Sequence, residues 1–109
     1  TESLQAKRLL ASLDRFRGRE ANPKPPMADS ARRWLNETYM PIVAMIPENL
    51  KGRIEEAQFF HETLEHRWYL SEKAGYDVGL TFSAESYIKD VLPYRRDSGV
   101  DVTQTKTSI

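Results

Sequence analysis

No cysteine occurs among the 109 residues, which excludes a disulfide framework and a thiolate metal site and is compatible with a reducing cytoplasm. Glycine is scarce: the five present are scattered singly, so no glycine-rich loop exists to cradle a phosphate. No apolar run approaches the length of a membrane span, and the first residues lack the apolar stretch of a signal peptide. Net charge is missing too. Sixteen basic and sixteen acidic side chains cancel, which argues against a general affinity for nucleic acid or anionic lipid. Beginning at Thr1, the chain reads as a piece of something longer. Its length suits one small domain with a single core.

The charge that is present is unevenly placed. Residues 1–33 carry eight basic and four acidic side chains, residues 34–66 two and six, and residues 67–109 six of each. The differences are +4, −4 and zero, so a basic first helix is expected to lie near an acidic central one. A basic docking face for a phosphate or an acidic partner is the alternative.

The periodicity predicts an all-α fold, a small bundle of about four helices. Ala6, Leu9, Leu10, Leu13 and Phe16 recur at helical intervals over 2–17, and Gly18 ends that helix. Pro23, Pro25 and Pro26 make 18–28 a proline-rich linker. Asp29 or Ser30 is positioned to cap a second helix carrying Trp34, Leu35, Thr38, Tyr39, Ile42, Val43 and Ile46. Pro41 has no amide to bond the carbonyl of Glu37, so that helix is expected to kink or break near Tyr39 and Met40. A turn over Glu48 to Lys51 precedes a long helix from Ile54, with Ala57, Phe60, Leu64 and Trp68 as its apolar stripe and Gly75 just past its end. Thr81 or Ser83 is expected to cap a last helix with Ala84, Tyr87, Ile88, Val91 and Leu92 on one face, stopped by Pro93. Residues 1–93 then form one helical domain, and 94–109 a polar, loosely attached tail.

Chemistry concentrates on the long helix, where His61, Glu62, Glu65, His66 and Arg67 follow one another. Two histidines four apart would share a helix face and a metal, as in zinc proteases. These stand five apart, which swings the second imidazole about 140° from the first. His61 with Glu65, and Glu62 with His66, are instead spaced for imidazole–carboxylate pairs on two different faces. The first pair is expected half-buried beside the apolar stripe, the second more exposed. Arg67 offers a planar fork to Asp77, a salt bridge that would pin the turn after Gly75 against the helix. His61, Glu62, Glu65, His66, Arg67 and Asp77 are therefore the candidate polar or ligand cluster, with no catalytic residue, metal or cofactor assigned.

Around these residues the sequence resembles a bacterial family: the C-terminal domain of unknown function that follows a lipopolysaccharide-kinase-like, protein-kinase-related domain in actinobacterial proteins. The resemblance is carried by Ala31-Arg32-Arg33-Trp34-Leu35, Tyr39-Met40-Pro41-Ile42, Ile46-Pro47-Glu48-Asn49-Leu50-Lys51-Gly52, and above all Leu64-Glu65-His66-Arg67-Trp68-Tyr69-Leu70-Ser71-Glu72. Asp77-Val78-Gly79 and Val91-Leu92-Pro93 extend it to residues 4–93, and the family pattern has a basic residue where this chain has Tyr76. The resemblance implies a cytoplasmic protein with a phosphotransferase-like domain upstream. The expected function is a non-catalytic accessory or interaction domain, with that kinase-like domain or another protein as partner and a homodimer as a further expectation. A metal-dependent or acid–base hydrolase using His61, Glu62, Glu65 and His66 is the alternative reading. A nucleic-acid-binding module comes last, since the final helix carries only Lys89 as a base before Arg95.

Overall fold

The computed structural model describes residues 2–95, which form five α-helices joined by short turns, with no strand among the described residues. The helices are α1 (Glu2–Gly18), α2 (Met27–Trp34), α3 (Met40–Val43), α4 (Glu56–Ala74) and α5 (Leu80–Asp90). No helix among the described residues is long and apolar enough to cross a membrane. The polar tail expected over 94–109 lies, apart from Tyr94 and Arg95, outside them.

On α1 the buried face is narrower than predicted. Leu9, Leu13 and Phe16 pack against the core, whereas Leu10, about a quarter turn from that stripe, is 60% exposed, and Ala6, on the stripe's own face, is exposed near the start of the helix. The proline-rich linker, which contains a cis Asn22–Pro23 bond, is tied down by polar contacts from both sides. Arg17 donates to the Pro25 carbonyl at 2.8 Å and to Ser30 Oγ at 3.0 Å, Ser30 donates to Glu20 at 2.6 Å, and Arg33 pairs with Glu20. Ser30 is thereby fully buried inside α2 and caps nothing. The helix starts earlier, at Met27, after the extended backbone of Pro26.

The disturbance expected at Pro41 takes the form of a π-helical turn over Leu35–Tyr39, between α2 and α3. The Met40 amide reaches the Leu35 carbonyl five residues back, so the chain stays helical through Val43 without an amide on Pro41. A 3-10 turn, Glu48–Arg53, then leads through the buried Ile54, which lies outside the long helix, to Glu55 at its N-cap.

Two adjacent phenylalanines make α4 the centre of the fold. Phe60 meets Trp34 edge-on at 5.8 Å and Tyr39 at 5.0 Å, while Phe59, about 100° round the helix, meets Tyr87 of α5 edge-on at 5.6 Å. Both are wholly buried, so the first half of α4 is covered on two sides. Ile42, Val43, Ile46, Ala84 and Leu92 complete this core. Trp68 does not continue it. It is 66% exposed, because α1 faces it with Arg8, Ala11 and Arg15 and no large apolar side chain. Gly75 ends α4 at φ 84° as expected. Ser83 is buried within α5 and donates to the Gly79 carbonyl at 2.6 Å; the N-cap position is Gly79, not Thr81 or Ser83. The helix ends at Asp90, before Pro93, which sits in a 3-10 turn, Leu92–Tyr94.

Candidate functional site

The six candidate residues divide among three environments. His61 belongs to the core, 5% exposed, with Nε2 3.4 Å from Glu65 and Nδ1 buried without a hydrogen-bond partner. This is the expected pair, stretched and only half satisfying the imidazole.

Glu62 and His66 do not pair with each other and are less exposed than their spacing suggested, since partners from beyond the helix take both. Glu62 receives two hydrogen bonds from Arg95, at 2.9 and 2.6 Å, together with one each from Tyr87 and Gln58. Burial by itself would raise the carboxyl pKa; the bonds from Arg95, Tyr87 and Gln58 overcome it and hold Glu62 down at about 2. Burial, reinforced by the neighbouring Glu62, pushes the Tyr87 hydroxyl up. His66 bonds Ser86 of α5 through Nε2 at 2.9 Å and lies edge-on to Tyr87 at 5.9 Å, so Tyr87 sits between Glu62 and His66. Burial lowers the His66 pKa, opposed by Asp90. A histidine on a serine hydroxyl has the geometry of a base and nucleophile, but Asp90 approaches the serine, 3.5 Å from Oγ, and leaves the imidazole unoriented. Among the described residues no three His, Asp or Glu side chains gather as metal ligands.

Glu65, Arg67 and Asp77 share the third environment, a groove running between α1 and α4 to the first turn of α5. Its larger hollow, about 580 Å³, is lined by Arg8, Arg15, Glu65, Arg67, Trp68 and Asp77 among others. The adjoining hollow of about 330 Å³ shares Ser12, Arg15 and Arg67 and adds Arg19, Glu37 and Thr81. Arg8 reaches Glu65 at 3.6 Å, the contact that brings the basic first helix against the acidic α4. Arg67 is four-fifths buried, with Nε 4.0 Å from Asp77. Burial lowers its pKa, as does the charge of Arg15, while Asp77 opposes them and Arg19 adds to the repulsion. Asp77 also accepts the Gly79 amide at 2.9 Å, and Ser71 accepts that of Val78 at 3.1 Å, which fixes the turn between α4 and α5 beside the groove.

The candidate cluster, drawn from α4 and the turn after it, leaves out Arg8, Arg15 and Arg19. The signal was available: Arg8 and Arg15 stand seven apart on one helix face, with Arg19 four further on, within the segment carrying the +4 excess. Tyr87 and Arg95 had no comparable signal, since they lie 25 and 33 residues from Glu62.

No curated protein and no solved structure matches the chain. A family defined as a domain of unknown function, DUF4032, matches residues 1–92. That span takes in all five helices and the whole groove, and the chain belongs to this family.

Proposed function

We propose that this domain is a non-catalytic accessory module of a bacterial cytoplasmic protein which docks another protein domain through the exposed end of α4, the partner being the upstream kinase-like domain that the family resemblance implies. The observation that carries the reading is Trp68, 66% exposed on the helix that organises the core. Tyr69 follows it at 51% exposure, and Tyr76, 68% exposed, lies just past the helix end. Tyr69 is held in place by its stacking on His66 at 6.3 Å and by Lys73 over its ring at 5.2 Å. Large, rigid aromatic surface beside arginines is the composition that protein interfaces favour, and a tryptophan at the centre of one commonly dominates its energy.

The test is a calorimetric titration of the 109-residue chain with the kinase-like domain supplied separately. Saturable binding is expected, weakened at least about tenfold by Trp68→Ala with Tyr69→Ala, since a central aromatic anchor is worth about 2 kcal/mol or more. No heat of binding, or an unchanged affinity in the double variant, contradicts the reading. Sedimentation of the chain by itself separates this from pairing of two copies through the same face.

A further inference from the structure

The groove contains more positive charge than its own acids answer. Arg8 is engaged by Glu65, yet Arg15 and Arg19 have no carboxylate partner among the described residues. Arg67 is mostly buried, its acid stands at 4.0 Å, and the other charges acting on it are Arg15 and Arg19. A buried guanidinium flanked by like charges is unfavourable until an anion joins it. Two hydroxyls, one from each wall, are poised in the same sense. Ser12 Oγ accepts the Trp34 indole N–H at 2.9 Å and Ser71 Oγ accepts the Val78 amide, so each keeps its own O–H to donate. The larger hollow thus offers guanidinium forks and hydroxyl donors, with its acids on exposed side chains, Glu65 at 46% and Asp77 at 63%.

We propose that this groove binds a phosphate monoester, held between Arg15 and Arg67, with Ser12 and Ser71 donating to its oxygens. A carboxylate brings one charge and suits one guanidinium. A phosphate monoester brings nearly two charges and three strong acceptor oxygens, which match two guanidinium forks lining one hollow. Asp77 is the internal occupant that such a ligand displaces from Arg67. The inference goes beyond the docking reading and stands without it, because its residues are the arginines and serines of the groove and not the aromatic face.

Titration of the 109-residue chain at low salt with O-phosphoserine, inorganic phosphate and glutamate, followed by amide and arginine side-chain NMR, tests it. O-phosphoserine is expected to bind saturably and to shift Arg15 and Arg67, more tightly than inorganic phosphate and at least about tenfold more tightly than glutamate, as a second charge-assisted fork implies. Arg15→Ala removes an exposed side chain, leaves the fold intact, and is expected to weaken binding about tenfold. Asp77→Asn keeps the acceptor for the Gly79 amide and removes the competing charge, and is expected to tighten binding several-fold. Absence of saturable binding overturns the proposal, as does an affinity indifferent to both substitutions. Equal binding of phosphoserine and glutamate, or tighter binding of the inorganic ion than of the ester, overturns it as well. Loss of docking to another domain with phosphoserine binding retained contradicts only the function proposed above.

Discussion

Glu62 ties three parts of the chain together: α4 through Gln58, α5 through Tyr87, and the segment after the last turn through Arg95, whose carbonyl in turn accepts Arg53 at 3.2 Å. Its carboxyl is ionised down to about pH 2 in the folded protein, against an ordinary value of 4.5. A depressed carboxyl pKa means that the unfolded chain binds the proton more readily. The stabilisation is therefore complete above about 4.5 and is lost as pH falls from there towards 2. Glu62→Gln leaves Arg95 and Tyr87 facing a neutral amide, and is expected to destabilise the domain by about 2–3 kcal/mol at pH 7. Urea unfolding at a series of pH values measures this: the gap between the two proteins should close on acidification below 4.5, and a gap independent of pH contradicts the assignment. The role of Glu62 was not legible in the sequence, where its local spacing pointed to His66. A charged, two-pronged partner arriving from 33 residues away wins over an imidazole four residues along, and periodicity carries no information about it.

At the scale of the elements, the end of α4 is legible because glycine acts through the backbone, independently of what packs nearby, whereas its start, expected at Ile54, comes at Glu56. Gly75 adopts φ 84° and no atom lies within 4 Å of where a Cβ would stand, so its role is conformational and not one of space. Gly75→Ala is accordingly expected to lower stability by about 1 kcal/mol with no change in the fold, measured as a shift in urea midpoint at constant slope. No loss would mean that the helix end tolerates another geometry. The serines were less legible. Ser30 and Ser83 have the chemistry of N-caps, but both are fully buried, and their hydroxyls serve Glu20 and the Gly79 carbonyl. The missing amide of Pro41 implies an interruption, while its form, a π turn five residues wide, depends on Trp34, Tyr39 and Phe60 packing around it. Trp68 fits the period of the α4 stripe and still faces solvent, since a stripe says which residues share a face and not how far the neighbouring helix covers it.

Across the whole molecule, the core is gathered at one half of α4 and the other half is left as surface. Phe59, Phe60 and Leu64 are enclosed by α1, α3 and α5, whereas Trp68 and Tyr69 emerge beyond them, with the arginine groove alongside. The charge excess of the first third of the chain is only partly spent on acids elsewhere in the fold, through Arg8 with Glu65, while Arg15 and Arg19 line that groove. Trp68, Tyr69 and Tyr76 stand open at the end of α4 beside this groove, and the proposed docking rests on that surface. The two tryptophans report on this directly, because Trp34 is 8% exposed with its indole N–H bonded to Ser12, while Trp68 lies open. The most direct measurement is the pair of indole N–H resonances of the labelled chain during titration with the kinase-like domain. The Trp68 signal is expected to shift or broaden to saturation while that of Trp34 stays in place. A Trp68 resonance that remains unmoved at saturating partner would contradict docking through the end of α4.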